Sequence, residues 1–515
     1  MQNESQENNE RPVGKSKKVT PLPKMQIFIL LLVMIAEPIS STVIYPFVNQ
    51  FVKDTGITGG DDRKVGHYAG FLESVFFFAE CTTVFQWGRL SDQIGRRPVL
   101  LLGPIGLAIS LFTFGLSNSF WVLLIARCAQ GAFNGNMGVT KTMMFEMTDH
   151  TNIAQAYAWH PVMWSSGITL GPLIGGIFAL PVRRWPELAN TAHFLVTHPY
   201  FLPCAITGGL SIISLAIAYI GLKETLPSKL PSRDDDPENE VSESAKASIR
   251  TRSAESEFSD SDEESPLLQD QRPRQYGAND TDSAPEATSS TSEVEAEPEV
   301  PLKDLLTRPL LVALANHGFL CFLDQAHQAL LPLMYSTSID LGGLGLRPDQ
   351  IGLIMGVWGA CNAVFQVTCF PKLMAMLGPR KLYIRCFAAL LVTFSAFPIL
   401  NCLARWPACP EAAIWLTICC QMTFYTFLFM GYGCTQLFIM DAAPTRNTLG
   451  AVNGLGQMMS SVARTVAPSF ASSLFSISLQ KQLLGGHFVY ILLLSITIVG
   501  VYMSNQLPSG MRDRT

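Results

Sequence analysis

Ionisable side chains interrupt several long apolar stretches of this 515-residue chain, at Glu37, Glu73, Glu80, Asp324, Arg127 and Arg464. If those stretches cross a membrane, each such side chain costs on the order of 3 kcal/mol to insert, so each needs a partner or a function. Burial favours the protonated form of a carboxyl, whereas a nearby arginine favours its ionised form. The residue types therefore predict reversible protonation at some of the acids and ion pairing with the arginines.

Depth in the membrane predicts which of these side chains meet. At a rise of about 1.5 Å per residue, Glu37 lies ~18 Å into its stretch and ~12 Å from the opposite end, while Arg127 lies ~10 Å from that same end. Glu73 falls near this level, and Glu80 lies one heptad deeper on nearly the same side of its helix. We therefore expect a Glu37–Arg127 ion pair, with Glu37 and Glu80 as the acids that exchange protons. A static ion pair beside one neutral carboxyl is the alternative.

The second half of the chain offers a similar set. Asp324 and Arg464 each lie about 22 Å into their stretches at the helical rise, so a second ion pair is expected. His317 and His327 are ten residues apart and nearly on one helix face, where together with Asp324 they could hold a metal ion or contact a substrate. A histidine in a membrane helix is more often a hydrogen-bonded contact between helices. We therefore predict no metal site.

A charged segment, Gly88–Pro98, separates two apolar stretches. Its glycines allow positive φ or close backbone approach, and its proline suits the first turn of a following helix. An aspartate here can satisfy the free amides at a helix start, and its paired arginines can hold a carboxylate or a helix end. The segment predicts a tight loop at a membrane surface, with a gating role for Gly88, Asp92, Gly95, Arg96 and Arg97.

Three patterns resemble motifs of the major facilitator superfamily. The charged segment is similar to the signature loop between its second and third helices, although Gln93 stands where a basic residue is usual. The sequence Arg127-x-x-Gln130-Gly131 is similar to the fourth-helix motif of the drug:proton antiporters. The antiporter motif of the same group is matched, with glycines at spacing four and a proline that bends the helix, by Gly167, Gly171, Pro172, Gly175 and Gly176. Helix packing without a role in transport direction is the alternative.

Composition agrees with a membrane protein, because 48% of residues are hydrophobic and only 15% are charged, against about 25% charge in soluble chains. Apolar runs of about 20 residues suffice to cross the bilayer, and twelve occur. Their approximate bounds are 25–48, 67–87, 98–117, 120–140, 155–180, 200–222, 309–335, 350–371, 383–403, 412–436, 449–477 and 486–506. The twelve cysteines form no CxxC pair, so neither a disulfide framework nor a zinc site is indicated.

The segment between the two sets of six spans is acidic and rich in Ser and Pro, so it predicts a disordered cytosolic linker over residues 223–308. Its serines at 256, 259, 261 and 265 are candidate kinase sites, and Glu263–Leu268 resembles an acidic dileucine signal for a sorting adaptor, although chance occurrence is as good an explanation.

Basic residues near the ends place both termini in the cytosol. The predicted domains are 1–24, a cytosolic tail; 25–222, a six-helix bundle; the linker; 309–506, a second bundle; and 507–515, a second tail.

The resemblance implies an all-α membrane protein with the major facilitator fold, two six-helix bundles related by a pseudo-two-fold axis. It implies proton-coupled export of a small organic or drug-like compound by alternating access. Proton-coupled uptake and a non-transporting membrane sensor are the alternatives. Glu37-Pro38 and the acidic central segment look like a fungal branch related to plant zinc-induced-facilitator-like carriers. The expected location is the vacuolar or plasma membrane. Aromatic residues that could line a cavity are Phe76, Phe77, Phe78, Phe145, Trp164, Phe424 and Tyr425.

No nucleotide-binding motif is visible, so an ATP-driven pump is not expected. The acidic residues are concentrated in one segment rather than spread over a face, and no basic groove-reading motif occurs, so no nucleic-acid partner is expected either. We predict a carrier rather than an enzyme, without a cofactor, whose partners are protons, a small-molecule substrate and the lipid bilayer.

Overall fold

The computed structural model describes residues 20–149, 152, 156, 159–187, 193–226, 306–443 and 448–508, and these residues form helices joined by short connections. Residues 227–305 of the predicted 223–308 linker, which hold its kinase and dileucine sites, and most of both predicted tails lie outside the described residues. In the first half, a 3₁₀ turn at Asp62–Lys64 follows the second helix, and the α-helices are α1 (Lys24–Thr42), α2 (Val48–Asp54), α3 (Val65–Ile94), α4 (Arg96–Leu116), α5 (Phe120–Asn134), α6 (Met137–Glu146), α7 (Trp159–Phe178), α8 (Pro181–Arg184), α9 (His193–Thr197) and α10 (Phe201–Gly221).

The second half contains longer helices. The 58-residue α12 includes two of the predicted spans, and Gly378, at φ 71°, interrupts the helix between them. The helices follow the twelve predicted spans and confirm the all-α prediction. Their bounds are α11 (Arg308–Ser336), α12 (Pro348–Arg405), α13 (Glu411–Asp441), α14 (Leu449–Gln480) and α15 (Phe488–Ser504).

Apolar length explains which helices form the clearest spans. Stretches of 18 residues with high mean hydropathy and at most two charged residues occur, within the described part of the chain, in α1, α4, α10, α12 and α13. The helix α3 instead carries Glu73 and Glu80, and α14 carries Arg464 among small and hydroxylated residues. These two helices therefore have the composition of segments that face protein rather than lipid.

Three predicted boundaries are wrong. The chain continues as α2 to Asp54 instead of ending its first span at residue 48, and α6 extends the fourth span to Glu146. The predicted loop is mostly helix, because α3 runs to Ile94 and α4 begins at Arg96. Only Gly95, at φ 106°, breaks the helix, and a residue with a Cβ would be strained there. The polar residues before Gly95 form the last turns of α3 and face other charged groups.

The two halves of the molecule meet near one face, here named the far face, which holds Asp62–Lys64 and Gln480. The opposite face, which holds Gly95 and Gly378, is named the near face. At the far face α7 crosses α12 so closely that a Cβ added to Gly176 would lie 2.7 Å from the Cα of Gly352. The halves are therefore in direct backbone contact at this level.

Hydrogen bonds also join α3 to α14 near the far face. The amide of Ser469 donates to the hydroxyl of Ser74 at 3.0 Å, and the hydroxyl of Ser469 donates to the carbonyl of Gly70 at 3.2 Å. His67 and Gln480 interact at 3.2 Å one to two turns nearer the surface. Small and hydroxylated residues on both helices allow this approach, and the result is a closed seam between the halves.

The glycines of the antiporter motif act as packing positions, as predicted. Those at 167 and 171 face Pro38 and Thr42 of α1, and Gly175 faces the backbone carbonyl of Val43. Pro172 lies on the same helix, and its carbonyl approaches Gly352 of α12. The motif thus holds α7 against α1 within the first half and against α12 of the second half. Its role in the direction of transport stays a prediction.

Candidate functional site

The carboxyl of Glu37 is only partly satisfied by its surroundings. The side chain is 6% exposed on α1. Its Oε1 accepts a hydrogen bond from Nδ2 of Asn134 at 2.8 Å, whereas its Oε2 has no hydrogen-bond partner among the described residues. A buried carboxylate oxygen without a donor is costly, so this position favours a group that can take up a proton.

A second carboxyl and two cations surround Glu37. The charges of Glu80, Lys141 and Arg464 all act on its carboxyl, and the amide of Asn134 interacts with Glu80 as well. We call these five residues the acidic cluster. Arg464 reaches the cluster from the second half. Its guanidinium carbon lies 5.2 Å from the ring centre of Trp164 and 6.0 Å from that of Phe77, both in the first half. The cluster therefore contains charges from both halves.

The predicted ion pair between Glu37 and Arg127 does not form. Arg127, which is 1% exposed, donates to the side-chain oxygen of Gln130 at 2.8 Å and lies 4.4 Å over the ring of Phe76. The acid whose charge acts on it is Glu73. The depth estimate was wrong because the first span continues through α2 to Asp54. Six more helical residues move the end of the span by about 9 Å, so Glu37 lies two turns away from Arg127, level with Asn134.

The fourth-helix motif has a local structural explanation. Gln130 accepts the hydrogen bond of Arg127 described above, and a Cβ added to Gly131 would lie 2.0 Å from the carbonyl oxygen of Phe76. The absence of a side chain at Gly131 therefore lets α5 approach α3, and the carbonyl that it contacts belongs to the residue over which Arg127 is stacked. The motif positions this arginine against α3.

Asp324 is bound by neutral donors rather than by the predicted partner, Arg464. Its Oδ1 accepts from the hydroxyl of Tyr425 at 2.6 Å, and its Oδ2 accepts from the hydroxyl of Tyr432 at 2.7 Å and from Gln328 at 3.2 Å. Arg464 instead stacks on rings of the first half. Equal depth was not sufficient for pairing, because the helix faces also have to match and the tyrosines of α13 occupy the face that Asp324 presents.

A stack of rings lies beside Asp324. The ring of Tyr425 is 3.9 Å from that of His327 and 4.7 Å from that of Trp358, measured between centres. We call Asp324, His327, Trp358 and Tyr425 the aromatic cluster. Three of its members border a cavity between the halves of about 20 Å³, which is room for about one water molecule. The cavity is lined by Thr42, Tyr45, Ile168, Pro172, His327, Gln328, Leu331, Met355, Trp358, Met422 and Tyr425.

The two histidines of α11 have different environments. Both ring nitrogens of His317 have partners, the hydroxyls of Thr435 at 3.0 Å and Ser460 at 2.8 Å. Both ring nitrogens of His327 lack a hydrogen bond to any described residue. Within the described ranges, no group of three His, Cys, Asp or Glu residues is placed to hold a metal ion. His317 is therefore a contact between helices, whereas His327 has unused hydrogen-bonding capacity.

Arg96 is the centre of the near-face charge network. Its Nη1 donates to Ser91 at 2.7 Å and to Asp92 at 2.5 Å, and its Nη2 donates to Glu146 at 3.0 Å. Glu146 in turn accepts from the hydroxyl of Thr225 at 2.5 Å. Arg96 thus holds carboxylates, whereas Nη2 of Arg97 donates to the backbone carbonyl of Tyr219 near the end of α10 at 2.7 Å. Gly88, another predicted member of the gate, is helical and has open space around it.

The amides at the start of α4 are capped by Glu224, not by Asp92 as the sequence suggested. The carboxyl of Glu224 accepts from the amides of Arg96 at 2.8 Å and Arg97 at 3.0 Å. Burial alone would raise the pKa of Glu224, but these bonds and those from the amides of Leu226 and Thr225 lower it below its ordinary value. Asp92 lies at the end of α3, where it accepts a hydrogen bond from the guanidinium of Arg96.

Sequence reasoning missed Asn134, Lys141 and Glu224 as site residues. Asn134 is a polar residue one turn beyond Gln130, a spacing that could have placed it on the inner face of α5. Lys141 lies one residue beyond the predicted fourth span of 120–140, although α6 includes it. Among the predicted aromatic residues Tyr425 lines the cavity, Phe76, Phe77 and Trp164 contact arginines, and Phe424 packs on Phe427. Phe78 and Phe145 are 55% and 61% exposed, so they do not line this cavity.

Comparison with known sequences gives a consistent result. The profile described as "Major Facilitator Superfamily" matches residues 30–468. The chain is 32% identical to the major facilitator-type transporter psiT2 of Psilocybe cyanescens, over 95% of this chain and 92% of the relative. It is 28% identical to the major facilitator superfamily multidrug transporter mfsB of Aspergillus fumigatus, over 89% and 79%. It is 25% identical to the protein ZINC INDUCED FACILITATOR 1 of Arabidopsis thaliana, over 94% and 91%.

Comparison with solved structures supports the same fold. The crystal structure of the D-xylose-proton symporter superposes with a TM-score of 0.62, covering 96% of this chain and all of that one at 13% identity. At such low identity the likeness shows the arrangement of helices and nothing about substrate.

Proposed function

Because this chain belongs to the major facilitator superfamily, we propose that it exports a small organic compound in exchange for protons by alternating access. Major facilitator proteins are integral membrane carriers that bind small molecules within the membrane, and they are not enzymes. The acidic cluster is the observation that carries the proposal. The charge of Glu80 acts on the carboxyl of Glu37, so two negative charges repel each other there, and a proton on either relieves the repulsion.

Arg464 is the group through which a proton could move the halves. It belongs to α14 of the second half, yet its charge acts on Glu37 and Glu80 of the first half. Protonation of either acid weakens that attraction. A ligand or proton can shift a conformational equilibrium only through such a difference in interaction free energy between states. The acidic cluster supplies this difference at the interface that must open.

The closed seam at the far face supports the alternating-access part of the proposal. In this conformation α7 contacts α12 and α3 contacts α14 near the far face. Such a conformation serves access from the near face, and opening the seam would serve release at the far face. With both termini in the cytosol, as the distribution of basic residues suggests, the near face is cytosolic and release is outward or into the vacuole.

Export is favoured over uptake by the resemblance of α7 to the antiporter motif, and a small organic substrate agrees with the Aspergillus fumigatus relative, which is a multidrug transporter. Proton-coupled uptake would use the same acidic cluster and aromatic cluster. It would differ only in the order in which the proton and the substrate bind. A non-transporting sensor would need no reversible proton site. The sign of proton movement distinguishes the three functions.

The test uses purified protein in liposomes that contain the pH-sensitive dye pyranine and have an acidic lumen. Phenethylamine, phenylacetate or 2-phenylethanol is added outside, and protein-free liposomes measure passive permeation. Antiport predicts a protein-dependent rise in luminal pH with at least one compound. A protein-dependent fall would indicate uptake coupled to protons. The absence of any protein-dependent change across a wider panel of organic amines, acids and alcohols would contradict a carrier of this class.

A further inference from the structure

His327 is a buried polar side chain without a partner. It is 0% exposed, its Nδ1 and Nε2 make no hydrogen bond to any described residue, and it lines the cavity between the halves. A neutral imidazole offers one donor and one acceptor, and leaving both unused in an apolar environment costs free energy. The arrangement is explained if a ligand supplies the missing partner.

The rings around His327 favour a planar aromatic ligand. Trp358 and Tyr425 are stacked with an interplanar angle of 25°, and the indole nitrogen of Trp358 is already bonded to the hydroxyl of Thr426 at 3.0 Å. Their ring surfaces, rather than their polar atoms, are therefore what they offer to the cavity. Aromatic rings pack well in offset or edge-to-face geometry.

Asp324 adds a buried carboxyl group to this site. It is 3% exposed, its three hydrogen-bond donors are neutral side chains, and it forms no ion pair within the described ranges. An ionised carboxylate has about four acceptor positions, so one remains. Gln328, which is bonded to Asp324, borders the cavity. A ligand that displaces the Gln328 amide would reach the carboxylate directly, and a cationic group would gain most from it.

We infer that the aromatic cluster is the substrate site and that its substrate is a protonated aromatic amine with a polar ring substituent. The ammonium group binds Asp324, the ring packs on Trp358 and Tyr425, and the substituent hydrogen-bonds to His327. This inference rests on the proposal that the chain is a carrier. The present cavity is too small for such a molecule, so binding requires the halves to separate around the cluster.

The inference is tested by calorimetric binding to the purified full-length protein. Phenethylamine should bind at least about tenfold tighter than 2-cyclohexylethylamine, phenylacetate or 2-phenylethanol, which alter the ring or the charge alone. Tyramine, which adds a ring hydroxyl, should bind tighter still, and His327→Phe should remove that advantage. Asp324→Asn and Trp358→Leu should each weaken amine binding about tenfold. Trp121→Leu, at an exposed position of α5, is the matched control.

The selectivity of the wild-type protein among these compounds tests the inference even if a variant fails to fold. Amine affinity no greater than that of phenylacetate or 2-phenylethanol would overturn the inference, as would an Asp324→Asn protein that folds and binds phenethylamine normally. Tight amine binding without protein-dependent proton movement in liposomes would support this substrate site while contradicting the proposed antiport. Proton movement driven only by acids or alcohols would support the proposed antiport while contradicting this substrate site.

Discussion

The acidic cluster and the aromatic cluster each contain a buried carboxyl near the interface of the halves, but the two carboxyls are satisfied differently. Glu37 has one hydrogen bond, one oxygen without a partner, a second acid nearby and two cations acting on it. Asp324 has three neutral hydrogen-bond donors and no ion pair among the residues that the structure describes.

This difference separates two tasks. A carboxyl that faces another acid and lacks donors gains from taking up a proton, whereas a carboxylate held by three donors is stabilised in its ionised form. In the function and substrate site that we propose, the first half exchanges protons and the second half holds a cationic ligand. Arg464 is the residue that links them, because its charge acts on Glu37, Glu80 and Asp324.

Glu37→Gln should produce the largest effect, because glutamine keeps the shape of the protonated acid but cannot exchange a proton. Tyramine transport driven by a pH gradient should fall by at least about tenfold, about 1.4 kcal/mol of barrier. Exchange of labelled for unlabelled tyramine across liposomes at equal pH should persist, since it needs no net proton movement. Glu37→Asp, which keeps the charge, serves as the control. Gradient-driven transport at the wild-type rate by Glu37→Gln would assign the proton to another acid.

Arg464→Gln and Arg127→Gln sharpen the comparison between the arginines. Arg464 acts on the acidic cluster, whereas Arg127 is occupied by Gln130 and Phe76. Arg464 favours the ionised form of the two acids, so its loss should shift the midpoint of the pH profile of transport to higher pH by about one unit, the equivalent of ~1.4 kcal/mol. Loss of Arg127 should leave the midpoint nearly unchanged. A larger shift for Arg127→Gln than for Arg464→Gln would support a Glu37–Arg127 ion pair and contradict the acidic cluster.

Glu224→Gln tests a carboxyl that lies outside both clusters. The lost capping bonds should destabilise the α3–α4 connection by roughly 1 kcal/mol, or less because the side chain is partly exposed. The pKa of Glu224 is lowered in the folded protein, so its contribution is complete above the ordinary value of 4.5 and is lost as the pH falls through the lowered pKa. Thermal unfolding in detergent should show wild type and variant converging below pH 4.5. A difference that stays constant or grows under acid would argue against an ionised cap.

Removal of residues 234–297 should have the smallest effect, because it alters neither cluster. Transport rate per folded protein in liposomes should match that of the full chain, and both the Glu37 and the Asp324 variants should behave as they do in the full chain. A substantial loss of transport after this deletion would show that the central segment takes part in the cycle. In cells, Leu267→Ala together with Leu268→Ala should move the protein to the plasma membrane if the dileucine signal operates.

The sequence by itself determined the helical architecture. Apolar runs of sufficient length predicted twelve membrane crossings, because bilayer thickness sets a local requirement on each segment. Of the two glycines predicted to adopt positive φ or allow close backbone approach, Gly95 has a φ of 106°, whereas Gly88 is helical. The glycines of α7 were identified as packing positions in the same way. Each of these conclusions depends on residues that are close together in the chain.

Only the tertiary structure decided which charges meet. Glu37 pairs with Asn134 rather than with Arg127, because six helical residues beyond the predicted end of the first span change its depth. The cap on α4 comes from Glu224, 128 residues along the chain from the amide of Arg96. Contacts of this kind depend on the depth and rotation of helices that are far apart in sequence, and an error of one or two turns exchanges one partner for another.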